Sequence, residues 1–422
     1  MHNKIVYPAD VSTQSFGRLR VNVTSILNSF PVEGASISVG YTGVPDSQIE
    51  TIQTDATGNT PEIELPAPPI DYSLEPGAEQ PYSEYTLHIR AEGFSGIEVN
   101  GVQILPEVTA IQNANLEVEE APDEEEALYV IPPHTLFGDF PPKIAESEIK
   151  SPAETGQIVL DRVVIPEFIV VHDGPPTDRG AKNHYVRYRD YINNVASSEI
   201  YSTWPEATIL ANVLAIQSFT LNRVFTEWYR NRGFNFTITS STAFDHKWVP
   251  GRNIFEPITR VVDTVFVNYL SRPDVIQPIL TQYCDGQRTQ CPNWMTQWGS
   301  KSLGEQGYTA IEILRNFYGS NMFINTAPEV AGVPVSWPGT SLQRGSRGNP
   351  VRTIQSQLNV ISRGYPLIPK LAEDGVFGPK TENSVKVFQQ VFKLPQTGVV
   401  DFTTWYKISE IYVAVSRIAE LT

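Results

Sequence analysis

The chain has 422 residues and 47.0 kDa, room for several domains of about 100–200 residues each, which excludes a single small module. With 31 Lys and Arg against 47 Asp and Glu, the formal net charge is −16 and the pI ≈ 4.9, so nucleic acid and anionic membrane surfaces are excluded as main partners. A hydrophobic content of 41% with 10% aromatics can build real cores, and two cysteines, Cys284 and Cys291, rule out a four-thiolate zinc site and a disulfide framework.

In chain order, the start from Met1 to Pro8 has no long apolar core behind its one lysine, so no secretory signal is expected. From Gly17 to Leu116 apolar residues alternate with period two: Leu19, Val21, Val23; Ala35, Ile37, Val39; Tyr85, Leu87, Ile89. Turn clusters such as Asp55-Ala56-Thr57-Gly58 separate them. The pattern predicts an antiparallel β-sandwich over residues 1–117, with His88 as an exposed strand residue. Its layout resembles the carboxypeptidase-regulatory-like and transthyretin-like sandwiches, which are structural or regulatory modules.

Residues 118–162 read as a linker. Seven carboxylates crowd into 117–126, and Ile131-Pro132-Pro133 and Phe140-Pro141-Pro142 follow. Like charges repel and proline removes backbone donors, so the expectation is an exposed, protease-accessible segment.

A mixed α/β domain is expected over 163–335. It opens on a strand near Val163–Val171 that Pro166 interrupts. Thr203-Trp204-Pro205-Glu206 reads as a capping box for a long helix that ends before Arg232-Gly233. Gln217 falls in that helix's apolar stripe and is either a satisfied core amide or faces a polar cleft. Polar residues interrupt even its most apolar stretch, so no run approaches the roughly 20 apolar residues of a membrane span. A second capping box, Thr309 to Glu312, opens a helix stopped by Gly319. Over 336–422 three short helices, begun by Asn349-Pro350, Pro379 and Asp401, form one bundle. The fold class is thus multidomain α+β.

Six histidines lack metal-ligand spacing, and neither a G-x-S-x-G elbow nor a phosphate-binding glycine loop occurs. What remains in the middle domain is carboxylates near aromatics and amides, Glu199 and Asp245 foremost.

The segment Ser198-Glu199-Ile200-Tyr201-Ser202-Thr203-Trp204-Pro205-Glu206-Ala207 resembles the signature of the SpoIID/LytB family of peptidoglycan lytic transglycosylases. Met295-Thr296-Gln297-Trp298-Gly299, then Gly307-Tyr308 and Glu312-Ile313-Leu314, are similar to its closing motif. The C-terminal bundle resembles the common peptidoglycan-binding domain through Arg352 to Leu358, Asp374-Gly375-Val376-Phe377-Gly378-Pro379 and Gly398-Val399-Val400-Asp401. The whole arrangement is similar to that of the spore cortex-lytic enzymes.

The resemblance implies that Glu199 is the catalytic acid/base. Gln297 and Trp298 would form the cleft wall, and Gln217 and Asp245 would contact substrate. No metal or cofactor is implied, and Cys284 and Cys291 are expected as a disulfide or two thiols rather than a zinc site. Asn212 and Gln217 stand where the family usually has Gln and Arg, and Asp245-His246-Lys247-Trp248 stands for its Asp-Gln-x-Tyr block. It further implies a zymogen in the spore cortex or coat region, whose propiece a germination protease cuts between Gln157 and Arg162. The competing readings are a non-catalytic wall-binding or coat-assembly protein and a muramidase-type hydrolase.

Overall fold

A computed structural model describes residues 15–25, 30–44, 47–77, 79–119, 126–151, 160–331, 338 and 340–420. The strands of the N-terminal sandwich are β1 (Ser15–Ser25), β2 (Phe30–Pro31), β3 (Ser36–Tyr41), β4 (Gln48–Gln53), β5 (Ile63–Ala67), β6 (Ser83–Arg90), β7 (Ile97–Ile104), β8 (Thr109–Leu116) and β9 (Ala127–Val130). One sheet runs β4-β3-β6-β7-β9, and the other holds β8, β1 and β2 with β5 also on β1. The period-two residues point between the sheets: Leu19, Val21, Ile37, Val39, Tyr85, Leu87 and Ile89 are fully buried, each such aliphatic side chain contributing about 1.5–3 kcal/mol relative to exposure.

The sandwich differs from the antiparallel expectation in two places. β1 pairs with β8 in parallel, as does β7 with β9. Between β1 and β8 the chain visits the other sheet, and such a crossover lets strands return in the same direction. The second sheet also borrows a strand from the middle domain: Ile254–Phe255 pairs with Ile111 and Ala110 of β8. One apolar cluster therefore runs unbroken through the sandwich and the middle domain.

The expected exposed linker is corrected over its described part, while most of the acidic run, residues 120–125, lies outside the described residues. Residues 127–130 are β9, on the edge of the sandwich, and 131–151 form a strap without helix or strand that lies on the middle domain. The prolines do block regular structure, but backbone groups that cannot pair with each other find partners on the surface beneath. His134 and Lys150 are 1% and 3% exposed. Of the expected cut region, residues 157–159 lie outside the described residues and Leu160 to Arg162 within them.

In the middle domain Pro166 breaks the predicted strand into Val164–Ile165 and Phe168–His172. The helix Tyr188–Glu199 leads to the central helix, which spans Glu206–Phe225, shorter than expected. Thr203 does not cap it: its hydroxyl meets Ser73 Oγ of the sandwich at 2.8 Å, and the Trp204 indole donates to Ser73 O at 2.9 Å. The second capping box forms as expected, with Thr309 and Glu312 opening Ala310–Tyr318 and Gly319 closing it.

The C-terminal helices Asn349–Ile361, Pro379–Val391 and Phe402–Glu420 enclose a core of their own, including Leu358, Phe388 and Trp405. The two similar turns are built alike. Gln355 accepts from Gly375 N at 2.8 Å and donates to Val376 O, and Gln389 accepts from Gly398 N at 2.8 Å and donates to Val399 O. Both glycines have φ near +70°, which a side chain would strain.

Candidate active site

Glu199 is the last residue of its helix and is 5% exposed. Its Oε1 accepts from the backbone N–H of Lys247 at 2.8 Å. Gln297 Nε2 donates to the Glu199 carbonyl at 2.8 Å and reaches Oε2 at 3.3 Å. Gln297 opens the helix Gln297–Glu305, which lies hard against the central helix. A Cβ at Gly304 would come within 2.0 Å of Thr208 Oγ1, so glycine is what permits the approach that delivers Gln297 to the carboxylate.

Burial pushes the Glu199 carboxyl above its ordinary range. Lys143, the Lys247 N–H and Gln297 pull it partly back. The Tyr283 hydroxyl is buried, faces this carboxyl and has no hydrogen-bond partner of regular geometry. Behind Tyr283 stands His246, its ring stacked at 5.8 Å and its Nδ1 3.1 Å from Tyr191 Oη. Burial holds His246 neutral by lowering its pKa well below the usual value.

The cleft over Glu199 encloses about 500 Å³ and is lined by Tyr283, Gln297 and the loop from Cys284 to Gln290 on one side and by strap residues 135–143 on the other. Cys284 and Cys291 form a disulfide that closes this loop. Asp285 organises it, accepting from the N–H groups of Gln287, Arg288 and Thr289 and from the Arg288 guanidinium.

Gln297 thus stands beside Glu199 in the cleft lining, while three other predicted residues stand elsewhere. Gln217 is fully buried and donates to Val265 O and Asn268 O at 2.7 and 3.1 Å, a core amide rather than a cleft residue. Asp245 is fully buried and accepts from Arg223 Nε, Tyr229 Oη, Thr239 N and Thr239 Oγ1 at 2.6–2.9 Å. Its lone pairs are spent on the protein, which corrects its expected role toward substrate. Trp298 packs against Trp204 at 5.0 Å and Tyr201 at 6.2 Å as an aromatic core that backs Gln297.

Sequence reasoning missed Lys143, Tyr283 and Arg288. Tyr283 directly precedes Cys284, Arg288 lies between the two cysteines, and Lys143 is the lone cation directly after Phe140-Pro141-Pro142. Among the described residues one group brings potential metal ligands together, His88, Glu98 and Glu126, with ligand atoms within 4.8 Å. It lies on the sandwich, and Arg90 already pairs with Glu126 at 2.5 Å.

Comparisons with known proteins bear on the bundle. Residues 347–408 match the model of the peptidoglycan binding domain family PG_binding_1. No curated protein matches the chain. Among solved structures, it is similar to the TIE protein of Bacillus anthracis (15% identity, 25% of this chain and 17% of that one, TM-score 0.17). It is likewise similar to the minor pilin GBS52 of Streptococcus agalactiae (13%, 27% and 49%, TM-score 0.18). A third is catechol 1,2-dioxygenase of Acinetobacter radioresistens (14%, 29% and 60%, TM-score 0.19). The chain spans less than two thirds of each of these proteins, and at such TM-scores the likenesses carry no argument. Among the described residues no helix is long and apolar enough to cross a membrane. The C-terminal helical unit, over residues 347–408, is thus a domain of the peptidoglycan-binding type.

Proposed function

We propose that the chain is the precursor of a peptidoglycan lytic transglycosylase that degrades spore cortex, a cortex-lytic enzyme of the SleC type with a SpoIID-like catalytic domain. The observation that carries this reading is one buried, protonation-prone carboxyl, Glu199, in a cleft of about 500 Å³. The other middle-domain carboxylate lining that cleft, Asp285, is engaged by its own loop.

A single carboxyl suffices for transglycosylation. Glu199 as the acid gives its proton to the glycosidic oxygen between MurNAc and GlcNAc as the bond to the anomeric carbon breaks. The resulting carboxylate takes the proton of the muramyl 6-hydroxyl, whose oxygen bonds to the anomeric carbon and closes a 1,6-anhydro ring. The nucleophile is tethered to the substrate, so no second carboxylate is required to activate water. Gln297 and the Lys247 N–H fix the carboxyl, and the raised pKa keeps more of it in the acid form near neutrality.

The sandwich and strap are the propiece, severed from the catalytic domain by a germination protease that cuts between Gln157 and Arg162, and the peptidoglycan-binding domain holds the enzyme to the cortex. The test is turbidity loss of purified cortex with the uncut chain, the cut chain and cut Glu199→Gln. Only the cut parent should clear the suspension. Clearing by the Glu199→Gln protein would overturn the catalytic assignment, and binding without clearing by every form would favour a wall-binding or assembly protein.

A further inference from the structure

The strap does more than cross the middle domain. The Lys143 ammonium donates to Asp245 O and sits 5.2 Å from the Phe219 ring centre and 5.1 Å from that of Tyr283, beside Glu199. Farther along, Glu146 receives two hydrogen bonds from the Arg223 guanidinium at 2.6 and 3.0 Å, and Glu148 receives two from Arg272 at 2.6 and 2.7 Å. Hydrogen bonds of the strap backbone, two of them with the Gln282 side chain, fix the register. Ile144 N donates to Ala243 O, Glu146 N to Gln282 Oε1, Gln282 Nε2 to Ile144 O, and Leu280 N to Glu148 O. Upstream, Arg288 donates to the carbonyls of Thr135, Phe137 and Gly138 at 2.6–2.7 Å. A further cavity of about 310 Å³ is lined by Glu146 and Glu148 of the strap together with Gln282, Trp294 and Tyr318.

We propose that residues 143–150 are an internal stand-in for the substrate, and that Arg223 and Arg272 take the substrate's carboxylates once the strap leaves. The proposal rests on the transglycosylase reading for the identity of that substrate, a muramyl glycan whose lactyl group and stem peptides bear carboxylates. The charges run in the matching order. A cation lies where positive charge would develop next to Glu199, and two carboxylates follow in the groove, each held by a bidentate arginine, the geometry arginine uses for carboxylates in general. Lys143 also favours the carboxylate form of Glu199, the wrong form for a general acid.

The device has a second consequence. The strap is continuous with a sandwich that shares its core and a strand pairing with the middle domain. A cut after residue 151 therefore leaves the stand-in docked, and glycan must displace it.

The test uses the full chain carrying a specific protease site within residues 152–159, with a fluorescent disaccharide tetrapeptide as probe and anisotropy as readout. The uncut Lys143→Ala, Glu146→Gln, Glu148→Gln protein should bind the probe at least about tenfold more tightly than the uncut parent, since several charge-assisted contacts no longer compete. In that background Arg272→Gln should lose the preference for the native probe over one whose carboxylates are amidated. A synthetic peptide of residues 139–151 should compete with the probe on the cut chain, and the same peptide with the three replacements should not. Equal binding by the uncut parent and triple variant, an Arg272→Gln protein that keeps the preference, or a peptide that does not compete would each overturn the proposal. None of these readouts needs turnover, so absence of glycan cleavage in every form would sink the transglycosylase reading and leave the strap result standing on its own.

Discussion

Replacing Asp245 with alanine separates a structural role from a role toward substrate. The carboxylate lies 2.7 Å from Arg223 Nε, both side chains have no exposure, and Tyr229 and Thr239 supply three further hydrogen bonds. Removing one member of a buried ion pair leaves the other charge uncompensated, at a cost of about 3–5 kcal/mol. Here Glu146 still faces Arg223 from the strap at 2.6 Å, which places the uncut chain near the lower end, about 3 kcal/mol. In the cut chain, once the strap has been displaced and washed away, the same substitution should cost nearer 5 kcal/mol. Urea titration followed by tryptophan fluorescence reads both values. Trp228 lies 5.0 Å from the Arg223 guanidinium and reports the site directly. An Asp245→Ala protein with unchanged midpoints in both forms but no binding of muropeptide would refute this reasoning and return Asp245 to the cleft.

Acid stability follows from two buried imidazoles. Burial depresses His134 and His246 well below 6.5, so the unfolded chain takes up their protons first. Stability should be full above about pH 6.5 and fall below it by up to about 2.7 kcal/mol per pH unit while both contribute. Glu146, held at about 2 by Arg223 and Lys150, adds stability above about pH 4.5 that is lost as pH falls toward 2, whereas the raised Glu199 has the opposite sign. Urea midpoints measured from pH 8 to 3 check the slope. Gln355→Ala should leave the Gly375 N–H without its acceptor and destabilise the bundle by about 2–3 kcal/mol, with Gln389→Ala behaving alike at Gly398, as thermal melts of the bundle would show. Gln297→Ala frees the Glu199 carboxyl and should lower kcat by about 10- to 100-fold, with KM changed less. Losing the disulfide through Cys284→Ser with Cys291→Ser should cost about 2 kcal/mol for so short a loop and loosen the Arg288 hold on the strap, raising its cleavage by a non-specific protease.

What could be read from the chain followed local physics. Alternation in Leu19, Val21 and Val23 gave the sandwich core because a strand's faces repeat every two residues. Thr309 with Glu312 gave a helix start because both partners lie within one turn. Thr203 with Glu206 carried the same signature and failed, since Ser73, 130 residues away, offered the hydroxyl a partner that local spacing does not reveal. The strap was misread for the same reason. Proline and acidic residues say that 131–151 cannot pair with itself, but Glu146 and Glu148 meet Arg223 and Arg272 only in three dimensions. The motif singles out Glu199 as a candidate, whereas its burial and its hold by Gln297 come only from the fold, and the places of Gln217 and Asp245 depended on which face of a packed core each side chain met.

The most direct test of the central claim is mass spectrometry of the muropeptides released from purified spore cortex by the cut chain, beside its Glu199→Gln counterpart. The account predicts 1,6-anhydro-muramyl ends from the parent and none from the variant. Reducing ends from the parent would contradict it, because water and not the muramyl 6-hydroxyl would then be the nucleophile.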